Sequence, residues 1–181
     1  MSEPGGAKRG QVRVADMVRS LLPLLIGVLA MAWFCTPQDS DPVREVDPAP
    51  SFGYAADLAD FTVLAPIGLP EGWRATSARV EPAEPDGPVG VLVGYVTPAE
   101  EFAQLVHSSV PIGELLDATL GTGYGEEGER AIAGQDWRTL RTVDGELALV
   151  RADSTATVVI TGSADQAELE LLAASLRPLE P

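Results

Sequence analysis

Residues 129–161 read ERAIAGQDWRTLRTVDGELALVRADSTATVVIT, and this stretch decides the fold. It contains four short segments that favour β-structure, separated by turn residues. The turns are predicted at Gly134-Gln135-Asp136, at Asp144-Gly145 and at Asp153-Ser154. Asp-Gly between two strand-like segments is a strong hairpin signal. The pattern therefore predicts a four-stranded antiparallel meander.

The preceding part of the chain adds more strands to this meander. Residues 89–96, VGVLVGYV, are continuously apolar, which is typical of a central strand buried on both faces. Residues 73–81 alternate weakly and are predicted to form an edge strand. Residues 98–109 allow two interpretations. Thr97 to Glu100 either begin a helix with a capping box or form the turn of a hairpin, and the hairpin is preferred.

Two amphipathic helices complete the predicted fold. Pro111 to Leu120 place Ile112, Leu115, Leu116 and Leu120 on one side, and Gly121 ends the helix. A capping box that starts at Ser163 precedes a second helix, which ends before Pro178. We therefore predict an α+β domain, a mostly antiparallel sheet with these two helices on one face.

Residues 15–38 are predicted to form a single N-terminal transmembrane helix, a signal-anchor. Its uncharged window from Ser20 to Gln38 is about 28 Å long as a helix, close to the thickness of a bilayer core. Residues 1–14 are expected to be a basic cytoplasmic tail, since the charges on the two sides obey the positive-inside rule. The alternative is a signal peptide cleaved after Ala32.

Residues 39–60 are rich in proline and aspartate and are predicted to form an extended linker. Docking of Phe52 and Tyr54 onto the folded domain is the alternative. Residues 61–181 are then the extracytoplasmic α+β domain. The whole protein is expected at the cell membrane as a single-pass protein, with its C-terminal domain outside the cytoplasm.

The charge of the chain excludes one class of partner. Beyond residue 35 there are 25 acidic residues, 8 arginines and no lysine. Such a surface repels nucleic acid, so we expect no nucleic-acid binding. The expected partners are the membrane and an envelope protein or polymer.

No catalytic, cofactor-binding or metal-binding residues are predicted. His107 is the only histidine, and neighbouring Ser108 and Ser109 are not part of a recognisable triad. The glycine-rich loop from Gly121 to Gly128 has neither a P-loop lysine nor the ligand spacing of a calcium loop. The four aromatic residues of interest are Trp73, Tyr95, Tyr124 and Trp137, which form the predicted ligand or interaction face.

Several short motifs, taken together, resemble a known family. They are Asp16-Met17, LPEGW at 69–73, GYVTP at 94–98, Gly134 three residues before Trp137, and LVR at 149–151. In this combination the chain resembles the domain of unknown function 4245 family of actinobacterial single-pass membrane proteins. The resemblance implies a location and an architecture, and it implies no mechanism. It also implies a glycine in the turn after Thr97-Pro98, where this chain has Ala99-Glu100.

The expected function is a non-enzymatic interaction or accessory role in the cell envelope, performed by a membrane-tethered extracytoplasmic domain. The alternative is an extracytoplasmic sensor of a small molecule or ion that uses the face around Tyr95, Trp137 and the loop from Gly121 to Gly128.

Overall fold

The computed structural model describes residues 44–82 and 87–179, together with Leu21, Leu22 and Leu24. The chain divides into two units, residues 1–43 and residues 44–181. In the first unit, Leu21, Leu22 and Leu24 are helical and exposed. In the described part of the chain, no helix has both the length and the apolar character that a membrane crossing requires. The rest of the predicted anchor, with Ala32, lies outside the described residues.

The second unit contains nine strands and three helices in its described part. The helices are α1 (Ala49–Leu58), α2 (Ile112–Leu120) and α3 (Gln166–Ser175). The strands are β1 (Leu64–Pro66), β2 (Arg74–Pro82), β3 (Val89–Val96), β4 (Phe102–Ser108), β5 (Gly125–Ile132), β6 (Gln135–Arg141), β7 (Leu147–Ala152), β8 (Thr157–Thr161) and β9 (Leu176–Pro178).

Seven of the strands form one antiparallel sheet in the order β2-β3-β4-β8-β7-β6-β5. The predicted meander is its second half, and the predicted edge and central strands are β2 and β3. The remaining two strands, β1 and β9, pair antiparallel as a separate small sheet. An α+β domain with a mostly antiparallel sheet is confirmed.

The first meander turn lies one residue earlier than predicted. Ala133 and Gly134 occupy it, both with positive φ, of 50° and 78°. Two central residues with positive φ form the hairpin turn whose twist matches that of the strands. Gln135 and Asp136 therefore belong to β6, and β5 extends back to Gly125 into the predicted loop.

The prediction that the two helices after residue 110 share one sheet face is wrong. Leu169 and Leu172 of α3 pack with Leu105 and Leu149 on the first face, which α1 also covers. In α2, by contrast, Leu115, Leu116 and Leu120 pack on the second face with Val106, Val150 and Val159. The cause is that the central strands are apolar on both faces, so each face must be covered.

The predicted linker differs from the structure from Arg44 onward. The Val46 N–H donates to the Ala75 carbonyl of β2 at 2.8 Å. Helix α1 then begins at Ala49 and buries Phe52 and Ala55 in the first core. Proline early in a helix does not prevent it, because the first-turn N–H groups have no partner within the helix. Burial of Phe52 therefore outweighs the tendency of this composition to stay extended.

The preferred interpretation of residues 98–109 is confirmed, since Phe102–Ser108 is a strand paired with β3. Thr97 directs the turn. Its backbone N–H donates to the Glu101 carbonyl at 2.9 Å, and its hydroxyl accepts from the N–H groups of Ala99 and Glu101. Glu100 has φ of 64°, in the left-handed region. That is the conformation for which glycine is favoured.

We expect Glu100→Gly to raise the free energy of unfolding by about 0.5–1 kcal/mol, because it relieves this left-handed strain. Chemical denaturation of the full chain would measure the change. The matched control is Ala99→Gly in the same turn, where φ is negative, and this variant should be neutral or destabilising. Equal effects of the two substitutions would contradict the strain argument.

Candidate ligand and interaction site

Trp73 and Tyr95 form an aromatic pair next to the small sheet. Trp73 lies just before β2, and Tyr95 lies on β3 opposite Ala75. Their rings meet edge to face with centroids 6.1 Å apart. Tyr95 is 3% exposed, whereas Trp73 is partly buried. Aromatic pairs of this geometry stabilise the packing beyond the area they bury.

Beside Tyr95 is an apolar groove with a volume of about 290 Å³. Helix α1, the small sheet and the segments next to it form its walls. The lining residues are Pro48, Ala49, Phe52, Ala65, Pro66, Ile67, Leu69, Tyr95 and Leu179. We call this feature the Tyr95 groove.

Backbone hydrogen bonds at both ends of the small sheet hold the wall of the groove. The Ile67 N–H donates to the Ser175 carbonyl at 3.0 Å, and the Leu179 N–H donates to the Val63 carbonyl at 2.8 Å. Although its backbone is fixed in this way, Ile67 is 58% exposed. An exposed branched side chain at the edge of an apolar groove is a surface that a binding partner can cover.

The Tyr95 hydroxyl is buried and has no hydrogen-bond partner among the described residues. Burial raises the pKa of the Tyr95 phenol well above its usual value, so the group is neutral at physiological pH. A neutral phenol can both donate and accept a hydrogen bond. Such groups are usually paired in folded proteins. Here the hydroxyl oxygen has almost no accessible surface, and Trp137 Nε1 and Glu168 Oε2 likewise have no partner among the described residues.

The other two predicted site residues lie elsewhere. Trp137 on β6 is fully buried in the first core, with the Arg151 guanidinium 5.1 Å from its ring centroid. Tyr124 packs against the second core, on the opposite face of the sheet. The structure thus brings together Trp73 and Tyr95, and it does not bring Tyr124 and Trp137 to them.

His107 lies on β4 inside the first core, where its imidazole is structural. The Leu64 N–H of β1 donates to its Nδ1 at 3.2 Å, and the Phe61 ring meets it edge to face at 4.8 Å. Burial lowers the pKa of His107 to about 4; the Asp153 carboxylate raises it by less, and the Arg151 guanidinium lowers it further. An Nδ1 that accepts a hydrogen bond must be unprotonated, which agrees with that pKa.

The acidic residues near Gly125 pair with arginines. Glu126 lies 3.0 Å from Arg138, and Glu127 lies 2.8 Å from Arg141. The hydrogen bond that Arg141 donates lowers the pKa of the Glu127 carboxyl. Within the described part of the chain, no three histidine, cysteine, aspartate or glutamate side chains are grouped as a metal ion would require.

In residues 44–60 the alternative of docking holds for Phe52, which is buried, and not for Tyr54, which is 53% exposed. Pro48, Ala49 and Phe52 form one wall of the Tyr95 groove, whereas the sequence predicts an extended spacer there. Phe52 is the signal behind that alternative, since a large aromatic residue in a polar segment favours docking onto a domain.

Comparison with known proteins places the chain in a family. A family model described as "Protein of unknown function (DUF4245)" matches residues 9–176. The chain belongs to this family. A comparison of this DUF4245 member with curated proteins gives no significant match.

Two solved structures show a weak similarity to this DUF4245 member. One is MucB in complex with MucA(peri), with a TM-score of 0.35 and 15% identity over 65% of the chain. The other is the MucA/MucB complex of Pseudomonas aeruginosa, with a TM-score of 0.35 and 16% identity over 67% of the chain. The match covers 37% of the length of the solved chain in each case.

Proposed function

We propose that this protein is a non-enzymatic interaction or accessory component of the cell envelope. Residues 15–38 anchor it as a single-pass protein with its N-terminus in the cytoplasm and its folded domain outside. The distribution of charge supports this orientation, because basic residues precede the uncharged window and the chain beyond it is strongly acidic.

One observation carries the interaction role, namely the Tyr95 groove on an otherwise acidic domain. Its lining contains no charged side chain, and Ile67 at its edge is largely exposed. Burying exposed apolar surface is the main favourable contribution to association. The groove is therefore the place where an apolar group of another envelope component binds.

Cross-linking in intact cells tests both parts of this proposal. Ile67→Cys and Val143→Cys are each made in the full chain with Cys35→Ser, which leaves a single thiol. Val143 is the matched control because it is 73% exposed and belongs to the turn between β6 and β7, away from the groove. The cells receive a membrane-impermeant reagent that joins a thiol to a photoreactive group.

We expect both cysteines to react from outside the cell. After illumination, Ile67→Cys should give a discrete cross-linked product that Val143→Cys does not give. Failure of both thiols to react would contradict the extracytoplasmic location. Reaction of both with the same products would contradict binding at the groove.

A further inference from the structure

Within the described part of the chain, a single hydrogen bond joins the small sheet to the seven-stranded sheet. Strands β1 and β9 pair only with each other there. Two further backbone bonds, from the N–H groups of Ile67 and Leu179, end on α3 and on the segment before β1. The one bond across is donated by the Leu64 N–H of β1 to Nδ1 of His107 on β4. We call the pair of strands β1 and β9 the latch.

The acceptor in this bond is a group that acid converts into a donor. A neutral imidazole has one nitrogen that carries a hydrogen and one that accepts, and Nδ1 of His107 is the acceptor. A second proton must therefore bind at Nδ1, the atom that receives the Leu64 N–H. Protonation of His107 and its hydrogen bond to the latch exclude each other.

The latch and the segment before it also shield His107 from water. His107 is 2% exposed, and the Phe61 ring meets its imidazole edge to face at 4.8 Å. Its neighbours along the sheet are Val91 on β3 and Val158 on β8. None of these side chains titrates or carries a charge. Separation of the latch would remove the contact with Leu64 and open the imidazole to solvent.

Two charged side chains act on the His107 imidazole from β7 and the turn that follows it. The Asp153 carboxylate favours a proton on His107, whereas the Arg151 guanidinium opposes it. Burial has a larger effect than either and lowers the pKa of His107 to about 4. The proton is therefore unfavourable chiefly because the imidazole is covered.

We propose that the latch is an acid-sensitive element, which separates from the seven-stranded sheet as a unit when His107 takes up a proton. The open form binds this proton more readily than the closed form, so a fall in pH shifts the population towards the open form. The latch contributes Ala65 and Pro66 to the wall of the Tyr95 groove. Acid therefore opens one wall of the proposed interaction site, and to this extent the inference rests on the proposed function.

The size of the shift follows from the pKa of His107 in the two forms. This pKa is about 4 in the closed form, and in the open form it takes the ordinary value of about 6.5. Lowering the pH from 7 to 5 then increases the ratio of open to closed latch about twentyfold. The ratio levels off above about pH 7, whereas carboxyls with ordinary pKa values near 4 change it mainly below about pH 5.

Amide hydrogen exchange of the full chain in lipid nanodiscs tests the inference, with mass spectrometry as the readout. The reporters are peptides that contain the hydrogen-bonded amides of Leu64, Ile67 and Leu179, and the reference is β8 in the middle of the large sheet. Protection factors are corrected for the intrinsic dependence of exchange on pH. We expect the latch amides to be about tenfold less protected than β8 or more, because the latch opens without the rest of the domain. Their protection should fall about twentyfold between pH 7 and pH 5.

The matched variant is His107→Gln, whose side-chain oxygen can accept the Leu64 N–H but does not titrate. Its latch amides should lose less than about threefold in protection over the same interval, since the proton site is gone. The shape of the wild-type profile is a second measurement that needs no substitution. Protection of the latch should begin to fall near pH 6.5, where an exposed histidine titrates.

Three results would overturn the inference. They are equal protection of the latch and β8 amides, a fall of the same size in His107→Gln, and a wild-type profile that falls only below pH 5. The first would show that the latch opens only with the whole domain. A specific Ile67 cross-link at neutral pH would leave the proposed function standing in each case. Loss of that cross-link with the expected exchange profile would remove the interaction role and leave the latch.

Discussion

Replacement of Gly162 by alanine is expected to lower the free energy of unfolding by about 3 kcal/mol or more, the combined cost of backbone strain and overpacking. Gly162 follows β8 and has φ of 144°, a conformation that residues with a side chain rarely adopt. A Cβ at this position would lie 2.9 Å from the Phe102 carbonyl carbon and 3.0 Å from the Ala103 Cα. Both are backbone atoms, so the contact cannot be relieved by a side-chain rotation.

The segment around Gly162 is held by hydrogen bonds to the start of β4. The Ala164 N–H donates to the Phe102 carbonyl at 2.9 Å, and the Phe102 N–H donates to the Ser163 hydroxyl at 3.1 Å. Ser163 also donates to Glu101 at 2.6 Å. Because both strands are fixed here, a Cβ at residue 162 would break these bonds or move β8 away from β4. The central pairing of the sheet would then weaken.

Chemical denaturation of the full chain measures this effect. The matched control is Gly53→Ala in α1, where an added Cβ meets no atom within 4 Å. A helix-interior glycine replaced by alanine should raise the free energy of unfolding by about 0.5–1 kcal/mol. The two substitutions add the same methyl group and are expected to change stability in opposite directions. A loss below about 1 kcal/mol for Gly162→Ala would contradict the close approach to Phe102, since overpacking of a tight site costs more.

The same segment shows a contact that short sequence patterns cannot predict. A capping box starting at Ser163 was predicted, but the helix cap is Asp165, whose carboxylate accepts from the Glu168 N–H at 2.9 Å. Ser163 is occupied by the hydrogen bonds across to Glu101 and Phe102. Its partners lie about sixty residues earlier in the chain, and a pattern that spans four residues cannot reveal them. The strands of the meander are predictable, and its first turn to within one residue, because their signals are local.

Pairing between distant strands was not predictable for the same reason. The join between β4 and β8 brings Leu105 next to Ile160 and unites strands β2, β3 and β4 with the meander. That join separates Tyr95 on β3 from Trp137 on β6 by three intervening strands. The sequence identified both as large aromatic residues at strand positions, and neither residue type nor spacing gives strand order. Tyr95 and Trp73 meet because β2 and β3 are consecutive strands.

His107 is the second residue for which we expect a large effect on stability. Its burial makes the free energy of unfolding depend on pH. The unfolded chain takes up a proton on this imidazole near pH 6.5, the ordinary value. In the fold, burial lowers the pKa of His107 to about 4. Between these two values the unfolded state holds more protons than the folded state, so stability rises with pH across the interval. The full stability is present above pH 6.5 and is lost progressively as the pH falls towards 4.

We expect the free energy of unfolding to fall by about 3 kcal/mol between pH 7 and pH 4 on account of His107 alone, since each unit of pKa difference corresponds to about 1.4 kcal/mol. The contacts of the His107 imidazole explain part of this loss of stability. A proton on Nδ1 would remove the acceptor for the Leu64 N–H and place a charge against Phe61. Because Leu64 begins β1, acid should loosen the wall of the Tyr95 groove first. Denaturation curves at half-unit intervals of pH measure the slope.

The matched variant is His107→Gln, whose side-chain oxygen can accept the same hydrogen bond but does not titrate. The free energy of unfolding of this variant should change little between pH 6.5 and 4.5, whatever its absolute value. The difference in slope from the wild type is then caused by the imidazole. Asp153 has a lowered pKa, chiefly through hydrogen bonds from Thr155, so its loss of stabilisation begins only at lower pH. Since His107 is the only histidine of the chain, its imidazole resonances can be assigned without ambiguity. Titration of those resonances near pH 6.5 in the folded protein, or an unchanged slope in His107→Gln, would contradict the burial argument.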